Sequence, residues 1–513
     1  MKRNFLAAAA AAIAFGLWSS ATSLAHEAGA PAQLGKVNFK VSCNAAAQRE
    51  FNVAMAYYHS FAWNQMREPL ERALKADPSC GMVHWLRALG ALNNPFAWPT
   101  VISAATLSEG PGILETAERT GLKSQRERDY VKALGTFFKD ADKLDHKARA
   151  KALEGALEGV MKRYPKDTEA ATIYALVLSA NFDPSDKKYT NQLKAAAILE
   201  PIFKAQPQHP GAAHYLIHSY DYPPIANKGM RAARSYSKIA PDAPHALHMP
   251  SHIFTRVGAW KESIESNAAS ARAGGDKSFD KWHAYDYMVY AHLQLGQHKE
   301  ARAIVDEALK NPARVDHPAT AYAYAAMPAR LALERAAWKE AAGLELFAAN
   351  DFPWKKYTFA EAVNAYARGV GAALSGDAGA AGEQAARLDK LREATKLPYW
   401  AEQIAIQAEV VRGLALRAEG DKAKALATLR DAAKREDATE KHVVTPGPIV
   451  PAREVLAYVQ LEDGDAKAAL RDFESVLKRE PNRYRALAGA AQAAERAGDA
   501  KKAKQYAARL PAV

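Results

Sequence analysis

The chain has 513 residues, of which 49% are hydrophobic and 25% charged, with a formal net charge of +12 and two cysteines. That length and apolar content exclude a disordered or collagen-like chain and allow one large core or a row of smaller ones. Basic residues alternate with acidic ones, as at Lys422 and Lys424 beside Asp421 and Arg471 beside Asp472. The charge therefore marks solvated helix faces rather than a nucleic-acid groove, and no nucleic-acid partner is expected.

Residues 1–25 carry Lys2 and Arg3, an uncharged stretch from Phe5 to Trp18, then Ser23-Leu24-Ala25 with small residues where a signal peptidase needs them. This reads as a cleaved signal peptide, and the mature chain is expected to be an exported, periplasmic protein. No later stretch has the length and apolarity of a membrane span. Residues 26–42 read as a flexible N-terminal segment. Cys43 precedes a predicted helix and Cys80 follows the next one, so an antiparallel hairpin brings them together. In an oxidising compartment they are expected to form a disulfide.

From residue 43 to 513, Ala-rich segments with apolar residues three and four apart fill the chain, and alternating β-branched runs are almost absent. The fold class is therefore all-α. A 34-residue spacing recurs: Leu456, Gly464, Ala469, Phe473 and Pro481 occupy apolar, turn, small, aromatic and stop places in a unit starting at Val450, and the next unit starts at Tyr484. Similar registers start near Ala47, Pro210, Pro244, Trp282, Tyr322, Ala362 and Ile406, with turns at Gly258, Gly296, Gly376 and Gly420. On these residues the chain resembles the tetratricopeptide repeat family. The resemblance implies an α-solenoid, a superhelical array of helical hairpins with a concave wall that receives a protein or peptide partner. Residues 95–208 fit the period worst and read as degenerate repeats, with an insertion from Pro95 to Gly112 and a helical pattern interrupted at Pro201. Residues 436–454 read as an inter-repeat loop, either a simple insertion or a segment folded over the groove. The strings AHYLIHSYDYPP, HALHMPSHIFTRVGAW and DATEKHVVTPGPIVPARE further resemble those of exported bacterial tetratricopeptide proteins with an HMPSHIF signature, a group that implies no particular activity.

Residues 209–252 hold six histidines, His209, His214, His218, His245, His248 and His252, where a usage of 15 in 513 puts about one. His214 and His248, like His218 and His252, are one repeat apart. Counted from the start of each unit, His214 and His248 are fifth and His218 and His252 ninth. His245 and His283 are second in their units, while Asp286 and Tyr290 follow as fifth and ninth. Spacings of three, four and seven share one helix face. His214, His218, Asp221, His248, His252 and Asp286 are thus expected as metal ligands or ring-orienting groups. Tyr220, His245, His283, Tyr287 and Tyr290 are expected to line the same concave groove. Neutral imidazoles and carboxylates suit a divalent transition metal, Zn, Cu, Mn or Fe, and the absence of cysteine from the set leaves these unseparated. His59 and His84 read as core or cap residues. Pro250 starts a helix between His248 and His252 and would leave His245 and His248 on an entering loop.

Three functions fit this pattern. The first is an exported repeat protein that binds a ligand, a divalent metal in its sharper form, through a His/Asp/Tyr groove. The second is a peptide-binding scaffold whose histidines only hydrogen-bond and stack. The third is a metal-assisted hydrolase with an activated water.

Overall fold

The computed structural model describes residues 32–348 and 350–511, and the signal-peptide reading of residues 1–25 falls outside them. Every regular element among the described residues is helical. Consecutive helices pair as hairpins in the expected registers, among them Pro210–Tyr220 with Met230–Ile239, Phe279–Gln294 with His298–Lys310, and Ala452–Glu462 with Ala466–Arg479. The hairpin turns at Gly258, Gly296, Gly376, Gly420, Gly464 and Gly498 all have positive φ, a conformation a side chain disfavours. Gly258 is doubly constrained, because a Cβ there would lie 2.3 Å from the Pro481 carbonyl oxygen.

Stacking buries what each hairpin cannot bury alone, and the apolar interior is segmented accordingly. One core runs from Leu34 to Phe254, a second from Ala271 to Val459, and a third from Ala457 to Tyr506. The helices that bear His214 to His252 belong to the first core and the helix that bears His283 to the second. Distant repeats also meet: Trp260 donates its indole N–H to the Asn482 carbonyl at 3.0 Å, and Tyr290 donates to Glu480 at 2.7 Å.

Several expectations need correction. Residues 33–42, expected to be flexible, pack along the first core, where Phe39 is fully buried against Phe51, Trp85 and Tyr130. Pro201 does not interrupt its helix, which runs Thr190–Ala205. Likewise Ala104–Thr120 passes through Pro111 inside the expected insertion. Both prolines are exposed, so each helix loses a backbone hydrogen bond on its solvent face without a buried clash. Pro250 leaves His245 and His248 in a short helix, Pro244–His248, and Met249 keeps right-handed helical angles into the next helix, Pro250–Val257. The Cys43 and Cys80 sulfurs lie at disulfide distance, 1.98 Å, and join the two ends of the first hairpin. No helix among the described residues is long and apolar enough to cross a membrane.

Candidate metal centre

His214 and His218 stand one turn apart on Pro210–Tyr220, a helix started by Pro210 and capped by the His209 ring, which accepts the Ala212 amide at 3.1 Å. His245 and His248 lie on Pro244–His248, His252 on Pro250–Val257 and His283 on Phe279–Gln294. These elements bring His214, His218 and His245 together as one triad and His248, His252 and His283 as another, each with ligand nitrogens within 4.8 Å of one another.

The partners of the outer ring nitrogens fix the tautomers. His252 Nδ1 lies 2.8 Å from the Asp221 carboxylate and must donate to it. His248 Nδ1 lies 2.6 Å from Asn267 Oδ1, and the Asn267 amide nitrogen donates to the Ser263 carbonyl, so Oδ1 accepts and His248 Nδ1 donates. In a neutral imidazole the other nitrogen then carries a lone pair. The two Nε2 atoms nevertheless face each other at 3.0 Å. Two acceptors at that separation repel unless a proton or cation lies between them. His283 joins them with its ring centre 4.4 Å from that of His248, and its buried Nδ1 has no hydrogen-bond partner among the described residues.

The first triad has related geometry. His214 Nδ1 donates to the His59 carbonyl at 2.6 Å, which leaves its Nε2 as an acceptor. His218 Nε2 and His245 Nε2 approach that atom at 3.1 and 3.2 Å.

Burial, reinforced by neighbouring histidine charge, holds His214, His218, His245, His248 and His283 well below the usual histidine range. Burial and the Lys441 charge also lower His252. All six are therefore neutral at neutral pH, the protonation state a metal ligand needs. Burial opposes ionisation of Asp221, but Lys441, Arg256 and His252 outweigh it and its carboxyl titrates well below the usual range.

The histidine face is covered rather than open, which decides between the two readings of residues 436–454. His214 is 0%, His218 4%, and His248 and His252 each 2% exposed: Phe61, Phe96 and Tyr236 pack against the first pair, and residues 439–451 fold over the side of Asp221 and Tyr287. Lys441 donates to Asp221 at 2.8 Å, Tyr287 donates to the Thr445 carbonyl at 3.1 Å, and Arg330 holds the Gly447 and Pro448 carbonyls at 2.9 and 2.8 Å. The 436–454 segment thus folds over the site. Of the expected residues, Asp221 orients His252 and lies outside both ligand triads. Asp286 does not join the imidazoles either: its Oδ1 accepts from Arg330 at 2.9 Å, so it positions the arginine that clamps the covering segment. Tyr287 stays beside the second triad, its ring centre 4.8 Å from that of His248. Tyr220 turns away to Glu200 at 3.2 Å, and Tyr290 turns to Glu480 between Arg330 and Arg483.

A further group forms around His59, which reads from the sequence as core or cap, and Glu169, to which the sequence assigns no role. His59 and His209 each bind one oxygen of buried Glu169 at 2.9 Å. His59 Nδ1 pairs with the Tyr215 hydroxyl at 2.9 Å and His209 Nδ1 accepts the Ala212 amide. Every ring nitrogen is satisfied and no lone pair is left to converge, so this group is structural. Only the crowding of histidines near 209 hinted at it.

Residues 460–513 match the tetratricopeptide repeat family model. No curated protein matches the chain. Among solved structures the chain is similar to the human IFIT1 dimer with m7Gppp-AAAA at 12% identity, over 84% of this chain and 89% of that one, with a TM-score of 0.38. It is similar to yeast Tom70 at 14% identity, over 90% and 91% of the two chains, with a TM-score of 0.32. For the P58(IPK) TPR domain the identity is 11%, the coverage 89% and 100%, and the TM-score 0.22.

Proposed function

The chain is a tetratricopeptide repeat protein, and we propose that it binds a first-row transition-metal ion through buried histidines. The observation that carries this reading is the 3.0 Å approach of His248 Nε2 to His252 Nε2, with both Nδ1 hydrogens committed to Asn267 and Asp221. Burial disfavours a proton between the rings, whereas a metal cation bound by both lone pairs removes the repulsion. His283 supplies a third nitrogen. His248 and His252 each commit the far ring nitrogen to a side-chain carbonyl or carboxylate, the arrangement that orients and strengthens metal-binding histidines. A donor set of imidazoles alone favours Zn, Cu, Fe or Ni over Mn, Mg or Ca. The Cys43–Cys80 pair supports an oxidising compartment, in line with an exported protein.

A second reading is a polar site that docks a peptide at the pocket beside the covering segment. Arg256, Tyr399, Trp400, Lys441 and Arg479 are among its lining residues. The two readings part on titration of the metal-free protein with Zn, Cu, Mn and Fe(II), followed by the thermal midpoint. A metal present at 100 times its dissociation constant raises stability by about 2.7 kcal/mol. The metal reading predicts such a rise with Zn or Cu and a smaller rise in His252→Ala; an unchanged midpoint in the wild-type protein with helical content intact leaves the peptide reading.

A further inference from the structure

The six imidazoles divide by distance. Within the triads, ring centres are 4.8 Å apart for His214 and His218, 5.0 Å for His214 and His245, 5.0 Å for His248 and His252, and 4.4 Å for His248 and His283. Across the triads, His218 and His252 are 6.2 Å apart and His245 and His248 are 6.3 Å apart. These are two neighbouring sets rather than one ring of six.

The same rule builds both sets. Each takes the fifth and ninth places of one repeat and the second place of the next: His214, His218 and His245 for the first, and His248, His252 and His283 for the second. The rule then stops, because the following fifth and ninth places are Asp286 and Tyr290, which face Arg330 and Glu480. What the repeat makes once as a ligand set, it makes twice.

We propose that His214, His218 and His245 hold a second transition-metal ion beside the first, so that the chain carries a paired-metal centre of two three-histidine sites. This rests on the proposed metal binding at His248, His252 and His283 and goes beyond it. His214 Nε2 has one lone pair, yet two other Nε2 atoms converge on it at 3.1 and 3.2 Å. One hydrogen bond satisfies only one of them. A tetrahedral ion with bonds of 2.0–2.1 Å separates its nitrogens by about 3.3 Å; His218 and His245 already stand near that spacing from His214, and all three ligand nitrogens lie within 4.8 Å of one another. The rings are held in place by stacking, His214 on Tyr236 at 5.1 Å, His218 on Phe96 at 3.9 Å and His245 on Phe61 at 5.3 Å.

Charge sets the class of ion and co-ligand. Asp221 is the one carboxylate bound to these rings among the described hydrogen bonds, and Arg256 and Lys441 already balance it at 2.8 Å each. Two ions in this centre find no further protein anion against them. The centre therefore takes imidazole-preferring ions such as copper or zinc, and a divalent pair recruits a small oxygen anion, hydroxide being the simplest, as co-ligand.

Copper(II) titration of the full chain, followed by equilibrium dialysis and electron paramagnetic resonance, tests the pairing. Two equivalents per chain are expected, the first giving an isolated-spin signal and the second broadening or quenching it through spin coupling. His214→Ala and His245→Ala should each lose the second equivalent and keep the first. His245 is only partly buried, so its variant serves if His214→Ala fails to fold by circular dichroism. Saturation at one equivalent in folded wild-type protein overturns the pairing and leaves the single-site reading standing, whereas no uptake overturns both. Two equivalents that persist in the folded variants, or that never couple, place the second ion elsewhere and also overturn it.

Discussion

His248 and His252 point their Nε2 atoms at each other across 3.0 Å while both Nδ1 atoms donate outward, to Asn267 and Asp221. That arrangement distinguishes a ligand set from a satisfied polar core. In the neighbouring His59–Glu169–His209 group every ring nitrogen has a complementary partner. Similar burial and residue types thus give opposite hydrogen-bond balances.

Asn267 fixes the His248 tautomer, so Asn267→Ala should weaken metal binding by about 10- to 100-fold, the usual effect of removing a ligand's outer partner. The fold should lose no more than about 1–3 kcal/mol for the buried donor left unpaired. Isothermal titration with zinc and denaturant unfolding of the metal-free protein separate the two effects. An affinity equal to wild type would show that Asn267 does not orient a ligand.

Glu169→Ala should act in the reverse sense. Two buried histidines lose their shared acceptor, and stability should fall by about 3 kcal/mol, while metal stoichiometry in the folded fraction stays unchanged. A drop in stoichiometry would reassign this group as a metal site.

The covering segment adds a pH dependence. His442 packs against Tyr399 and Trp400, and burial together with the Lys441 charge lowers it to about 4. Between pH 4 and an unfolded value near 6.5, the unfolded chain binds a proton that the folded chain refuses, so this contribution to stability is present above pH 6.5 and is lost as pH falls towards 4. Urea unfolding of His442→Gln across that window should show a shallower loss than wild type; parallel curves would mean that His442 titrates normally.

Arg330 ties Asp286 to the carbonyls of Gly447 and Pro448. Arg330→Lys keeps the charge but not the planar fork. Amide exchange in residues 444–449 should speed up, and with it metal uptake by the buried triads. Unchanged exchange would show that the segment is held by other contacts.

The Cys43–Cys80 link closes 37 residues of sequence separation, and loop-closure entropy assigns it about 4 kcal/mol. Cys43→Ser should lose stability on that scale. Thiol labelling of non-reduced, denatured wild-type protein should find no free thiol, and two free thiols per chain would contradict the pairing.

The helical array was legible because its signals are local. Gly464 and Gly498 mark turns one repeat apart, and His214/His248 and His218/His252 share a register, so helix positions and the histidine face follow from counting. Burial of that face was legible only as one of two readings of residues 436–454, and the sequence did not decide between them. That cover comes from residues 439–451 and the last repeats folding back, through contacts such as Lys441 with Asp221 and Trp260 with Asn482 that span more than 200 residues of chain. For the same reason Asp286 and Tyr290 read as groove residues: their arginine and glutamate partners lie 44 and 190 positions away. Pro201 and Pro111 misled because proline is judged from sequence without knowing which helix face is wet.

The most direct test of the metal reading is X-ray absorption on zinc-loaded protein freed of excess metal by gel filtration. Retained zinc is expected, with a shell of nitrogen ligands at about 2.0–2.1 Å and imidazole outer-shell scattering, without sulfur, and that signal should be lost in a folded variant that disables both triads, His214→Ala/His218→Ala/His248→Ala/His252→Ala. Protein that elutes folded and metal-free, or that keeps zinc and the same imidazole shell in the quadruple variant, would contradict metal binding by these histidines.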